Sequence, residues 1–332
     1  MGRIQTFKKR PTLKMAATMV GGDESKGPLG HLFDLSGKDT RFGMPTWEQA
    51  ESEMVRMACE TLMAKGKIRP DEVDLVFAGD LINQCTVSTF GFAESKIPYF
   101  GLYSACSTAA EGLILGGVAI EAEHACKVIT AASSHFCTAE RQYRFPIEYG
   151  SQRTPTAQHT VTGAGCFLLD NSPGQIYLNQ YLVGSIVDYG ATDVNNMGGS
   201  MAPAVVDTLV RFFMESTLTP DDFDLIITGD LGSEGHSISR EMLETHGIVM
   251  KNNYLDCGIL IYDIEKQDMH AGGSGCGCSA VVMGSYVFDQ LQQGKMKDVL
   301  FIGTGSLQSP ITVMQKQSIP GIAHLLRITR SE

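Results

Sequence analysis

Charge is scarce in this sequence, and positive charge most of all. Asp, Glu, Lys and Arg make up 19% of 332 residues, with 37 acids against 26 bases and a formal net charge of −11. No block of Lys and Arg stands out, which argues against nucleic acid as the main partner, because phosphate binding rests on clustered cations. Long hydrophobic runs are missing too. The longest stretch of apolar residues and glycine, Gly112 to Ile120, is far short of the roughly 18 residues that would span a bilayer. Nothing near Met1 reads as a secretory leader. The nine cysteines are odd in number and only Cys276 and Cys278 lie close together. That pattern gives neither a disulfide framework nor the paired spacing of a zinc site, and it predicts reduced thiols in a cell and no metal centre.

What is present is core-forming residue and glycine: 43% apolar residues and 36 glycines, enough for a large buried core. A basic arm, Lys8, Lys9, Arg10 and Lys14, opens the chain after Met-Gly-Arg-Ile-Gln-Thr. That start fits a myristoylation pattern, and a solvated arm is the reading preferred here.

The chain repeats itself. Asp71-Glu-Val-Asp-Leu-Val-Phe-Ala-Gly-Asp-Leu81 returns as Asp221-Asp-Phe-Asp-Leu-Ile-Ile-Thr-Gly-Asp-Leu231, 150 positions on. Each copy follows a proline and an amphipathic stretch, near Trp47–Lys65 and Ala202–Glu215, and each contains a short β-branched run, Leu75–Ala78 or Leu225–Thr228, that reads as a buried strand. Further on, Ser104-Ala-Cys-Ser-Thr opens a helical pattern and leads to the strand-like Lys127–Ser133. Gly275-Cys-Gly-Cys-Ser does the same before Asp298–Thr304. Strands alternating with helices predict a mostly parallel sheet in each half, with halves at residues 1–170 and 171–332. Two stretches lack periodicity, Thr138–Thr162 and Gly184–Gly199. Loops of that length usually carry function or an interface.

Cys106 lies at a strand-to-helix turn. There the unpaired N–H groups and dipole of the helix would lower a thiol's pKa and favour an anion.

These features resemble the thiolase and ketoacyl-synthase superfamily. The residues that carry the likeness are the two halves, the Ala105-Cys-Ser-Thr108 turn and Gly272-Gly-Ser-Gly-Cys-Gly-Cys-Ser279, joined by Gly27–Asp34, Ser133-Ser-His135, Met201-Ala-Pro-Ala204 and Asp256-Cys-Gly258. Within it the chain looks like a branch found in spore-forming bacteria and associated with uptake of dipicolinic acid. The resemblance implies an α/β fold of two duplicated αβα halves packed as a five-layered αβαβα sandwich. It also implies a homodimer through sheet edges, no cofactor, membrane-embedded partners of the same sporulation system, and a position peripheral to the inner membrane of the forespore or spore.

Catalysis in the superfamily needs a nucleophilic Cys and two partners, His with His or His with Asn. At the matching places this sequence has Gly229-Asp230-Leu231 and Gly272-Gly273-Ser274-Gly275. Cys106 is therefore expected to be a relict nucleophile in a pocket that binds dipicolinate, alone or with calcium. The expected contacts are Cys106, Ser107, His135, Asp256, Cys257, Gly273 and Ser274, with the glycine-turn N–H groups approaching a carboxylate. Asp256 reads equally well as a helix cap, and Arg141 and Arg144 could attract an anion from the loop. The alternative is an active acyltransferase using Cys106 with His135, His236 or His270.

Overall fold

The computed structural model describes residues 3–143 and 153–331. Arg144 and the neighbouring loop residues lie outside the described residues.

Ten of the twelve strands in the main sheet form its continuous path among the described residues. They are β1 (Thr12–Val20), β2 (Leu75–Gly79), β3 (Tyr99–Leu102), β4 (Lys127–Ser134) and β5 (Gly163–Asp170), then β6 (Ile176–Leu182), β7 (Leu225–Thr228), β8 (Tyr254–Asp256), β9 (Asp298–Ser306) and β10 (Gly321–Arg330). The first five pair in the order β1-β5-β4-β2-β3 and the second five in the order β6-β10-β9-β7-β8. Each position in one half thus has its counterpart five strands later. Between β1 and β6, where the two five-strand sets meet, the register is a single pair, Thr12 with Tyr177.

The repeated phrase does the same work twice. Asp74 accepts from the N–H groups of Cys126 and Lys127 at 2.7 and 3.0 Å, and Asp224 accepts from those of Lys297 and Asp298 at 2.6 and 3.0 Å. In both halves this carboxylate ties the start of one strand to its parallel neighbour. Neither half is as uniformly parallel as its alternating elements suggest. β5 runs antiparallel to β1 and β4, and β10 antiparallel to β6 and β9, while the remaining pairs are parallel.

Helices α1 (Trp47–Gly66) and α4 (Met197–Glu215) cover the outer faces. Between the sheets lie α2 (Thr108–Glu121) and α6 (Cys276–Val282), the latter continuing through a wide π turn to Gln292. The layers are therefore helix, sheet, helix, sheet, helix. α2 is buried along most of its length, at Ala110, Leu113, Gly116 and Ile120 among others, as a helix with apolar neighbours on two sides must be. The glycines permit close approach, chiefly of helix to strand. A Cβ on Gly277 of α6 would lie 2.3 Å from the carbonyl oxygen of Gly163 on β5, and one on Gly303 of β9 would lie 2.3 Å from Ala110 Cβ on α2.

One expectation needs correction. The stretch from Thr138 opens as a helix, α3 (Phe136–Tyr143), whose buried Thr138 and Ala139 pack inward. The basic arm runs along the surface with Lys8, Lys9 and Arg10 exposed: Lys9 pairs with Glu123, Arg10 lies over the Tyr177 ring, and Glu121 accepts from the N–H groups of Lys8 and Lys9.

Candidate functional site

A cavity of about 370 Å³ opens at the C-terminal ends of the strands, and Cys106, Thr160, Ser274, Asn195, Ser306 and Glu140 are among the residues in its wall. Its surroundings come from both halves. The turn before α2 brings Cys106, α3 brings Glu140 and Tyr143, the segment before α4 brings Asn195, the start of α4 brings Met197, and the short helix α7 (Pro310–Met314) brings Pro310 and Val313. Both aperiodic stretches of the sequence contribute to this wall.

Cys106 sits on a tight turn, Ala105–Ser107, in which Ala105 holds φ +48°. A left-handed alanine is strained, and here it turns the chain from β3 into α2 with the thiol facing the cavity. The thiol lies against Asp230, at the end of β7. That carboxylate accepts from Thr304 Oγ1 at 2.6 Å and from the Gly275 N–H at 2.8 Å. Burial raises Asp230 to about 6 despite these donors. Burial, reinforced by the Asp230 charge, pushes the Cys106 thiol well above its ordinary range. The expected lowering by the helix terminus is thus overturned: desolvation and a neighbouring carboxylate outweigh a partial dipole charge.

The other named residues fall into two groups. Ser274 joins Cys106 in the wall, and Gly273 stands just behind it, its carbonyl accepting from Gln158 Nε2 at 2.8 Å. Ser107, His135, Asp256 and Cys257 are not brought to the wall. Ser107 Oγ donates to the Ser104 carbonyl at 2.7 Å within its own turn. His135 Nε2 bonds the Thr40 carbonyl at 2.8 Å while Nδ1 accepts from the Cys137 N–H at 3.0 Å. This fixes a neutral tautomer, and burial lowers the ring's pKa. Asp256 caps the turn after β8, accepting from Thr228 Oγ1 and the N–H groups of Leu231, Gly232 and Ile259 at 2.6 to 3.2 Å, and burial raises it to about 7. Cys257 is wholly buried in the core between the sheets.

The glycine turn does not present free N–H groups as expected. Those of Gly272, Gly275 and Gly277 donate to Met269 O, Asp230 Oδ2 and Ser134 Oγ at 2.8, 2.8 and 3.1 Å. His236 and His270 are engaged away from the cavity, with Tyr254 O at 3.2 Å and Thr154 O at 2.7 Å. Arg141 pairs with Glu48 beside Trp47. No Lys, Arg or His lines the cavity among the described residues, and none of these shows three or more His, Cys, Asp or Glu grouped to hold a metal ion.

Sequence reasoning missed Gln158, Thr160, Asn195, Ser306 and Gln308. Only the lack of periodicity around the first three marked them.

The layered architecture and the Cys106 turn between two half-sheets define a thiolase-like protein, and solved structures agree on the fold. The chain aligns with 3-oxoacyl-[acyl-carrier-protein] synthase III of Aquifex aeolicus VF5 at TM-score 0.57 and 12% identity, covering 96% of this chain and 99% of that one. With acetamide-bound OleA of Xanthomonas campestris the TM-score is 0.62 at 11% identity, over 98% of this chain and 100% of that one. In sequence, the pattern of the Stage V sporulation protein AD (SpoVAD) family matches residues 2–329. Stage V sporulation protein AD of Bacillus subtilis (strain 168) is 41% identical over 309 residues, which is 93% of this chain and 91% of that protein. The chain belongs to the stage V sporulation protein AD family, a sporulation family built on the thiolase-like fold.

Proposed function

We propose that this protein is a non-catalytic member of its fold class that binds dipicolinic acid, pyridine-2,6-dicarboxylate, in the Cys106 cavity and supports its uptake into the developing spore. The observation that carries the reading is the replacement of catalytic partners around Cys106. The thiol faces a carboxylate, and His135, His236 and His270 are all held elsewhere. A condensing enzyme needs a thiolate and donors aimed at an oxyanion, each contributing roughly a hundredfold or more. Here a protonated thiol stands beside an acceptor.

What remains is a binding cavity. Its volume of about 370 Å³ lies within the range of small-ligand sites, which mix apolar wall with a few polar groups. The flat ring would lie against Leu81, Tyr143, Met197 and Val313, and the carboxylates would meet hydroxyl and amide groups. With Glu140 in the wall and no described cation there, the calcium chelate, whose charges cancel, suits the cavity better than the free dianion.

The same reading assigns movement across the membrane to other proteins of the sporulation system, since no described helix is long and apolar enough to cross one. This chain would be peripheral to the inner spore membrane. It would pair with a second copy through the open edge of β3, where Phe90, Phe100 and Tyr103 are 69, 57 and 53% exposed. An unpaired edge bearing aromatic side chains is a surface that proteins normally cover.

Titration calorimetry with dipicolinate, with and without calcium, is the test. The wild-type protein should give a saturable heat and Cys106→Ala a weaker one. No heat with either form removes the reading. Acyl-CoA turnover with an acyl adduct on Cys106 by mass spectrometry would establish the acyltransferase instead, which the retained cysteine and the synthase-like fold otherwise favour.

A further inference from the structure

Two hydroxyls in the cavity wall stand side by side without partners. Thr160 and Ser274 are register partners in a two-stranded parallel ladder, His159–Thr160 against Gly273–Ser274. Both residues line the cavity, yet they are only 8 and 1% exposed. Neither side chain has a hydrogen-bond partner among the described residues, in contrast to the hydroxyls of Ser107, Ser134 and Thr304, all engaged within the protein. Neither oxygen is sealed in the core; both open onto the cavity, where a ligand can reach them.

The ladder holds them firmly. His159 N–H donates to the Gly272 carbonyl and Val161 N–H to the Ser274 carbonyl, both at 2.8 Å. Gln158 Nε2 ties the same turn to the carbonyls of Asp230 and Gly273, again at 2.8 Å. These bonds use backbone and a neighbouring side chain, and leave both hydroxyls free to serve the cavity. Adjacent strands lie about 4.8 Å apart, a separation from which two hydroxyls can each reach, at about 2.7 Å, a different oxygen of one carboxylate.

We infer that Thr160 and Ser274 form a hydroxyl clamp for one carboxylate of the bound diacid. The inference rests on the dipicolinate reading above. Other donors at this end of the cavity are spent: the N–H groups of Gly272, Gly275 and Gly277 donate within the protein. With no described cation in the wall, the two hydroxyls and the side-chain amides of Asn195 and Gln308 are its donors left unspent among the described residues.

Thr160→Val removes the hydroxyl at nearly constant shape, Ser274→Ala removes the other, and Thr160→Ser restores the first. Calorimetry with dipicolinate, as the free acid in chelator and as the calcium chelate, should show Thr160→Val and Ser274→Ala each binding at least about tenfold more weakly, as expected for a lost hydrogen bond to a charged group. Thr160→Ser should stay within about threefold of wild type, a split that a merely structural role for this side chain would not give. Picolinate, which keeps one carboxylate, should lose affinity through the same two substitutions. Wild-type binding that neither Thr160→Val nor Ser274→Ala weakens overturns the clamp and leaves the dipicolinate reading standing. Failure of the wild-type protein to bind dipicolinate in either form overturns both. Because Thr160→Val leaves every ladder bond in place, a thermal melt unchanged from wild type will separate lost contact from lost fold.

Discussion

Burial and Asp230 together decide what Cys106 can do. Desolvation holds the thiol protonated, and a carboxylate fixed by Thr304 and Gly275 reinforces it, since a second negative charge there would stand in low dielectric beside the first. Replacing the carboxylate by an amide removes the opposing charge. In Asp230→Asn, alkylation of Cys106 by iodoacetamide at pH 8 should therefore rise, by on the order of tenfold, as the thiolate becomes easier to form. Tandem mass spectrometry of the peptide that holds both can read Cys106 against Cys126, which is exposed. An unchanged ratio of the two would mean that burial alone, without Asp230, silences the nucleophile. The duplicated phrase adds weight to the argument. Asp80 occupies the equivalent place in the first half, yet it accepts from Ser88 and the Ile82 N–H within its own loop. One aspartate of the repeat became local scaffolding and the other reached the site.

Elements of this fold are set by how closely helices approach strands. Gly277 at the start of α6 has no room for a Cβ, with the Gly163 carbonyl oxygen at 2.3 Å and the Ser134 backbone nitrogen at 2.7 Å, whereas a Cβ on Gly112 of α2 would meet nothing nearer than 3.4 Å. Gly277→Ala should cost at least about 2 kcal/mol by overpacking against rigid backbone. Gly112→Ala should be neutral or stabilising by up to about 1 kcal/mol, as a helical glycine replaced where space allows. Urea unfolding of the two variants distinguishes them, and equal losses would mean that glycine's role in this layer is not steric. Such elements were legible to the extent that local pattern encodes them. The echo of Asp71–Leu81 in Asp221–Leu231 and the two small-residue turns led to β2, β7, α2 and α6. The strands β1, β5, β6 and β10 escaped because their pairings join distant segments, as Thr12 does with Asp170, and β5, buried on both faces, also lacks alternation. For the same reason Cys106 and Ser274, at the mouths of helices, could be named in advance. Thr160, Asn195 and Gln308 could not, since they meet only when loops from both halves converge.

Across the whole molecule, the most consequential charges are those buried. Glu24, Asp230 and Asp256 are all enclosed between the layers, and burial lifts them to about 7, 6 and 7. An acid whose pKa is higher folded than unfolded binds more protons in the native state between the two values. Its contribution to stability is therefore full below the unfolded pKa, near 4, and is lost as pH rises through the folded one. Repulsion within a chain of net charge −11 adds in the same direction. The protein should thus be more resistant to urea at pH 5 than at pH 8. Glu24 offers a clean probe, because the Thr162 N–H, at 2.9 Å, and the Tyr262 hydroxyl both donate to its Oε1. A glutamine can keep both bonds through its own Oε1 and place an amide where the second oxygen stood. Between pH 5 and 8, Glu24→Gln should lose less stability than wild type by about 2 kcal/mol, most of the value of a shift from 4.5 to about 7, the rest having been lost below pH 5. Parallel pH profiles for the two proteins would show that Glu24 stays ionised in the fold, its two donors outweighing its burial.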